Sequence, residues 1–303
     1  MLSEQALAAW CRSHLGAGPG RVLFRTQHLS DVVAVELTDG RQVVVKARPF
    51  DQRIVGCVAV QAALAAAGFP CPGPLTEPVR VGRLAVTAEA LVPAGRQLNP
   101  AGGAEPFATL LARLIGAAPD VTAVPSLAPS PPWTAWDHPG PELWPDRDDE
   151  GLSLNEVIGP VWLDDAARRV RRQMRGYDAP RRIGHGDWES QNIRWNDGQP
   201  LAVHDWDSAI AQPEVAIVGL AAAVWPAAGG PDEAASVAQT AAFISAYQAS
   251  AGATWTARQV QLAWTAGLWV RLFNAKKDAR QGGGPQLDRL AAEMSERLAR
   301  AGL

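Results

Sequence analysis

The pattern of predicted secondary structure changes near residues 93–103, where prolines and glycines interrupt the chain. Before that point the sequence contains several short β-type runs, and after it apolar residues recur mainly at helical spacing. The predicted strands cover residues 21–28, 32–37, 42–47 and 84–92, and the later predicted helices cover residues 106–117, 161–175, 214–225, 232–250, 257–279 and 286–301. The change predicts an α+β fold in two parts, residues 1–93 and residues 94–303.

Cap and turn residues give more detail to this outline. Ser3 and Gly16 suit the two ends of a first helix, and Asp39-Gly40 suits a hairpin turn between two strands. A second helix is predicted over residues 52–67. In the later part, 192–195 and 201–204 are predicted as short strands around an Asn-Asp-Gly turn, and 119–151 as a long ordered loop.

The segment HGDWESQN, followed by HDWD, contains the residue types that phosphoryl transfer requires. Asp187 and Asn192 stand five positions apart, and Asp205 follows a β-type run. A positioned carboxylate can take the proton of an attacking hydroxyl, while an amide oxygen and a second carboxylate suit Mg²⁺. The spacing therefore predicts Asp187 as the base, and Asn192 and Asp205 as metal ligands.

A plainer interpretation treats His-Gly-Asp as an ordinary turn, because Asp and Asn are common in turns for local hydrogen-bonding reasons. An isolated His-Gly-Asp would favour that interpretation. The combination with Asn192 and with a carboxylate after a strand favours the catalytic one.

These motifs resemble those of the aminoglycoside phosphotransferase family, within the protein-kinase-like superfamily. The resemblance covers most of the chain, since the order of a β-rich part and a helical part also agrees. It implies a two-lobed kinase-like fold, with a nucleotide-binding lobe over residues 1–93 and a catalytic and acceptor-binding lobe over residues 94–303. It also implies ATP or GTP as donor, Mg²⁺ as cofactor, and a small hydroxylated acceptor such as an aminoglycoside or another antibiotic.

The resemblance extends to residues of the first lobe. Lys46 ends an apolar β-type run and is the only lysine in the first 275 residues, so it corresponds to the lysine that pairs with the α- and β-phosphates. Ser30 lies in a loop where a serine and backbone amides can bind phosphate. The backbone of Ala88 and Ala90, in a run similar to the family's hinge, is expected to meet the nucleobase.

Three departures from the family pattern weaken this assignment. The helix after Lys46 has no acid to pair with it, the loop around Ser30 has no glycine, and Ala216 stands where an aspartate is expected. A nucleotide-binding pseudokinase with a regulatory role is therefore an alternative. A metal-dependent hydrolase that uses the Asp and His groups is a third possibility, which the spacing does not favour.

An acidic stretch, Asp146 to Glu150, precedes the catalytic motif. Clustered carboxylates can attract a cationic acceptor over a distance, but a run of charges is more commonly a solvated loop. The sequence leaves both interpretations open.

Composition excludes several other functions. A net charge of −3 gives no general attraction to nucleic acid or to an anionic membrane, so neither is expected as a partner. Three cysteines without CxxC spacing favour the reducing cytoplasm, and the N-terminus is expected to carry no secretory signal. The sequence leaves the oligomeric state open.

Overall fold

The computed structural model describes residues 2–27, 29–230 and 233–303. The N-terminal part is a five-stranded antiparallel sheet with the strand order β1-β2-β3-β5-β4, accompanied by two helices. Its elements are α1 (Glu4–Leu15), β1 (Pro19–Gln27), β2 (Asp31–Leu37), β3 (Gln42–Pro49), α2 (Arg53–Ala66), β4 (Val79–Val81) and β5 (Leu84–Ala90). The predicted α+β architecture is confirmed.

Local signals fix several of these elements. The Ser3 side chain accepts the backbone N–H of Ala6 at the start of α1, and Gly16 ends the helix in the left-handed conformation. Gly40 has a positive φ of 88° at the predicted hairpin turn. The short strand β4 was not predicted, and residue 28, at the end of the first predicted strand, lies outside the described residues.

The C-terminal part is mainly helical. Its helices are α3 (Glu105–Ala117), α4 (Val161–Arg175), α5 (Glu214–Val224), α6 (Val237–Ala251), α7 (Ala257–Arg280) and α8 (Pro285–Ala301). Two glycines let the buried helices α5 and α7 approach closely. A Cβ at Gly219 would lie 1.9 Å from the backbone oxygen of Ala263, and one at Gly267 would lie 2.6 Å from the oxygen of Gly219. Because both obstacles are backbone, any larger residue there would push the helices apart.

Two small sheets carry the HGDWESQN and HDWD segments. β7 (Ile193–Asn196) pairs with β8 (Gln199–Val203), which confirms the hairpin predicted there. β6 (Arg181–His185) pairs with β9 (Ala209–Pro213), and neither strand was predicted. The two pairs place the ends of both motif segments next to each other.

The segment between α3 and α4 is held by a buried arginine. The Arg171 side chain donates hydrogen bonds to the backbone oxygens of Trp136 and His138, at 3.0 and 2.9 Å. Isolated short helical turns cover Val121–Ala123 and Pro132–Thr134. The predicted long loop is therefore ordered by hydrogen bonds from α4.

Several contacts join the N-terminal part to the helical part. In the linker after β5, Arg96 and Trp195 exchange backbone hydrogen bonds of 2.9 and 2.8 Å. From β3, Arg48 forms a 2.7 Å ion pair with Asp207, and from α2, Arg53 donates to the backbone oxygen of Ala209 at 2.7 Å. The boundary at residue 93 remains a prediction. No helix among the described residues is long and apolar enough to span a membrane.

Candidate active site

The catalytic-motif loop, residues 186–192, is fixed by backbone hydrogen bonds to surrounding elements. Gly186 N–H donates to the oxygen of Ser208 at 2.7 Å, and Ser190 N–H donates to the oxygen of Trp225 at 3.0 Å. A Cβ at Gly186 would lie 3.1 Å from side chains of Ile210 and Thr134. The glycine therefore allows the loop to lie close against β9.

Asn192 orients the predicted base. Its Nδ2 donates to the Asp187 carboxylate at 2.9 Å and to the Asp187 backbone oxygen at 3.0 Å. Burial, together with the nearby Asp205 carboxylate, raises the pKa of Asp187 to about 7. A carboxylate with a pKa near neutrality is well matched to accepting a proton at physiological pH.

His185 holds the catalytic-motif loop through two hydrogen bonds. It is fully buried, its Nδ1 accepts the Asp187 backbone N–H at 3.2 Å, and its Nε2 donates to the His204 oxygen at 3.0 Å. Burial lowers the pKa of His185, so the ring is neutral and these two bonds define one tautomer. The histidine therefore links the two motif segments, as a structural residue.

Asp205 occupies an unusual backbone conformation for a residue with a side chain. Its φ and ψ are 62° and 49°, in the left-handed region that Asp and Asn tolerate better than most residues. One carboxylate oxygen accepts the Ser208 hydroxyl at 3.1 Å. The conformation fixes the direction in which the carboxylate leaves the chain.

The oxygen atoms of Asn192 and Asp205 fit a hard cation. Both side-chain bonds of Asn192 use Nδ2, so no described residue donates to its Oδ1, and the same holds for one oxygen of Asp205. Among the described residues there is no cluster of three or more His, Cys, Asp or Glu that could hold a metal. A cation at this pair would therefore need further oxygen ligands, such as nucleotide phosphates or water.

A cleft of about 740 Å³ lies between the sheet and the helical part. Four of the predicted site residues line it, and they come from both parts of the chain: Ser30, Asp187, Asn192 and Asp205. Within the described residues, the lining does not include Lys46, Ala88 or Ala90.

Lys46 nevertheless has an acidic partner, which the sequence analysis did not find. Its Nζ lies 3.1 Å from Oε1 of Glu89 on β5, and both side chains are largely buried. Burial alone would lower the pKa of Lys46, but the charges of Glu89, Asp207 and Asp205 outweigh it and raise the pKa. The search for an acid on the following helix missed Glu89 because the partner belongs to the neighbouring strand.

The backbone amides of the predicted hinge are engaged within the protein. Ala88 N–H donates to the Thr76 hydroxyl at 3.0 Å, and Ala90 N–H donates to the Gly73 oxygen at 2.9 Å. Their contact with a nucleobase stays a prediction, and it would have to use other backbone groups of this strand or displace the segment 73–76.

Two further residues of the cleft escaped the sequence analysis. Glu189 lines the cleft beside Asp187, and burial and that neighbouring carboxylate raise its pKa well above the ordinary value. Its position inside the HGDWESQN segment was the signal that could have identified it. Trp133 also lines the cleft and donates from Nε1 to the Gly186 oxygen at 2.8 Å, a contact between distant residues that no local pattern indicates.

The acidic stretch is paired with cations of α7. Lys277 contacts Asp149 at 2.8 Å, and Arg280 contacts both Asp148 and Glu150 at 2.6 Å. This pairing favours a structural role over attraction of a cationic acceptor, although Asp149 also lines the cleft.

Comparisons with known proteins fit this architecture. A family model described as "Phosphotransferase enzyme family" (APH) matches residues 22–260. No curated protein matches the chain significantly.

Solved structures show a shared fold at low sequence identity. An amicoumacin kinase in complex with AMP-PNP, Ca²⁺ and Ami is 14% identical, with a TM-score of 0.63, covering 92% of this chain and 86% of that chain. A putative aminoglycoside phosphotransferase from Ralstonia eutropha JMP134 is 18% identical, with a TM-score of 0.61, covering 98% and 97%. A thermostable mutant of aminoglycoside phosphotransferase APH(4)-Ia, in a ternary complex with ADP and hygromycin B, is 13% identical, with a TM-score of 0.59, covering 98% of both chains.

Proposed function

This chain belongs to the phosphotransferase enzyme family whose model matches residues 22–260, and we propose that it transfers the γ-phosphate of ATP or GTP to a hydroxyl of a small molecule in a magnesium-dependent reaction. Family membership makes the protein a small-molecule phosphotransferase. The donor, the metal and the acceptor are the proposed parts.

One observation carries this proposal: Asp187, Asn192 and Asp205 line the same cleft, and Asn192 holds the Asp187 carboxylate by a 2.9 Å hydrogen bond. In the proposed reaction, Asp187 orients the acceptor hydroxyl and takes its proton as the oxygen bonds to phosphorus. Lys46 is proposed to steady the donor phosphates, and Ser30, which lines the same cleft, is proposed to bind a phosphate.

Asn192 and Asp205 would hold Mg²⁺ through the two oxygens to which no described residue donates. When bound, the ion would neutralise charge that develops on the phosphate oxygens. The protein contributes the positions of these two oxygens, because Asp205 is fixed by its backbone conformation and Asn192 by its bonds to Asp187.

The choice of donor and acceptor rests on similar proteins. One solved relative contains AMP-PNP, Ca²⁺ and Ami, and another contains ADP and hygromycin B. We therefore propose a small hydroxylated acceptor, with aminoglycosides and other antibiotics as the first compounds to test. The free cysteines Cys11, Cys57 and Cys71 are compatible with the proposed cytoplasmic location.

The test is transfer of labelled γ-phosphate from ATP and from GTP, with Mg²⁺, to pools of aminoglycosides, other hydroxylated antibiotics, sugars and amino alcohols. Asp187→Asn should lower the transfer rate by about 10²–10⁴-fold, while nucleotide affinity stays within a few-fold of the wild type. Asp165→Asn is the matched control, because Asp165 is exposed in a surface pair with Arg168.

Loss of transfer in both variants, or retention in both, would contradict the role of Asp187. Nucleotide binding without transfer to any pool would favour the pseudokinase alternative. The pseudokinase alternative rested partly on the lack of an acid to pair with Lys46. That argument no longer holds, because Lys46 has an acidic partner.

A further inference from the structure

We propose that Glu89 is a positioning residue for phosphoryl transfer: its carboxylate, carried by β5 and held by Gln61 of α2, directs Lys46 toward the donor phosphates. This inference rests on the proposed function and names a residue set that the family's motifs do not indicate.

The sheet itself brings Lys46 and Glu89 together. β3 and β5 are adjacent antiparallel strands, with Lys46 opposite Thr87 and Val44 opposite Glu89. Because alternate residues share a face, the two charged side chains project from the same side of the sheet. Their Nζ and Oε1 atoms are 3.1 Å apart, and the side chains are 15% and 8% exposed.

Gln61 fixes the other half of the carboxylate. Its Nε2 donates to Oε2 of Glu89 at 2.9 Å and to the backbone oxygen of Pro72 at 2.8 Å. Each oxygen of Glu89 therefore has its own donor, Lys46 on one side and Gln61 on the other. A carboxylate with both oxygens engaged cannot rotate freely, so it presents Oε1 to the lysine in a single orientation.

Here α2 contributes a neutral amide to this group, and the acid comes from the sheet. Lys46 and Glu89 both belong to strands joined by backbone hydrogen bonds, so the sheet places the two charges on one face, and α2 adds the Gln61 hydrogen bond that orients the carboxylate. Both charges of the ion pair therefore come from the sheet, and the helix contributes only to the orientation of the carboxylate.

A double-mutant cycle on the full chain tests the proposal. Lys46→Met, Glu89→Gln and the double variant are compared in kcat and in KM for ATP with Mg²⁺. Glu89→Gln should lower kcat/KM by up to about 100-fold, the scale of a misplaced reacting group. The double variant should be no worse than Lys46→Met, because Glu89 acts through the lysine.

Glu36→Gln is the matched control. Glu36 belongs to the same sheet and contacts Arg21 at 3.2 Å, but both side chains are exposed. It should leave kcat/KM unchanged. Glu89→Asp keeps the charge and should recover part of the activity lost in Glu89→Gln, which a purely structural role would not produce.

A spectroscopic measurement covers the case in which Glu89→Gln folds poorly. The chain contains only three lysines, Lys46, Lys276 and Lys277, so side-chain ¹⁵N-lysine spectra have few signals to assign. Gln61→Met removes the amide and retains both charges. It should shift the Lys46 signal and lower kcat/KM by a smaller factor than Glu89→Gln, about tenfold or less.

The proposal would be overturned if the losses of Lys46→Met and Glu89→Gln multiply in the double variant. An unchanged Lys46 signal in both Glu89→Gln and Gln61→Met would also overturn it. If the wild type transfers no phosphate to any acceptor, the proposed function fails, and the same cycle is measured as affinity for ATP. Coupling between positions 46 and 89 in that affinity would support Glu89 as the residue that positions Lys46, and independent losses would reject it.

Discussion

Two groups of carboxylates in the C-terminal part differ in whether a cation pairs with them. Asp187 and Asp205 form no ion pair with any described cation, and burial raises the pKa of Asp187 to about 7. The acidic stretch around Asp148 is bonded to Lys277 and Arg280 of α7, and these cations lower the pKa of Glu150.

The difference shows how function can be separated from structure in an acidic protein. Partly buried carboxylates without an ion-pair partner are costly unless a ligand supplies the charge, whereas paired carboxylates contribute to the fold. In the sequence, the members of both groups are Asp and Glu residues, and residue type does not separate the two groups. Only the positions of the cations tell them apart.

The largest expected effect comes from removing a charge in the unpaired group. Asp205→Asn should lower the rate of phosphate transfer by about 10²–10³-fold, because the metal-binding oxygen loses its charge. The measurement is kcat with saturating ATP across a range of Mg²⁺ concentrations. Asp197→Asn, in an exposed turn, is the control and should be silent. A rate for Asp205→Asn within tenfold of the wild type would contradict the role of Asp205 as a metal ligand.

The next effect is a gain in stability from the same group. Asp187→Asn should raise the free energy of unfolding at pH 8 by about 2–4 kcal/mol, since the wild type must bury a charge there. The folded state holds its proton up to a pKa of about 7, against an ordinary value of 3.8. Wild-type stability should therefore fall relative to the variant as the pH rises through that window, and then level off.

Urea unfolding of both proteins without nucleotide at pH 4, 6 and 8 measures this difference. A constant difference between the two proteins at all three pH values would contradict the assignment of an uncompensated carboxylate at Asp187.

A smaller loss is expected from the paired group. Arg280→Met should lower the free energy of unfolding by about 1–3 kcal/mol, because Asp148 keeps a buried charge without its cation. The Asp148 side chain is fully buried, and its carboxylate still accepts the N–H groups of Glu150 and Leu152 at 2.9 and 2.8 Å. Thermal and urea unfolding measure the loss. A fall in kcat/KM that corresponds to an equal or greater free energy would show that the paired group also serves catalysis.

The smallest effect is expected at Glu150. Its side chain is 40% exposed, so solvent screens its contacts with Lys277 and Arg280. Glu150→Gln should change the free energy of unfolding by less than about 1 kcal/mol. A change in the KM for a cationic acceptor, with stability retained, would instead support the earlier interpretation that this stretch attracts the acceptor.

The features predicted correctly are those whose signals are local. The hairpin at Gly40, the caps of α1 and the hairpin β7–β8 each depend on a few adjacent residues. Asp187, Asn192 and Asp205 also occupy one short segment and line the same cleft, and their catalytic and metal-binding roles stay predictions.

The features that were missed depend on contacts between distant residues. Glu89 was overlooked as the partner of Lys46 because only the pairing of β3 with β5 brings them together. The pairing of β6 with β9 and the bond from Trp133 to Gly186 also join separate segments. No periodicity or spacing within a single segment encodes such contacts.

The attachments between the N-terminal part and the helical part also limit how the cleft can open. They include the backbone exchange at Arg96, just after Ala94 with its positive φ of 66°, and the contacts of Arg48 and Arg53. Ser30 lies between β1 and β2, at the edge of the sheet away from these attachments on β3, on α2 and after β5. An opening of the cleft would therefore displace the Ser30 loop more than the strands that carry Lys46 and Glu89.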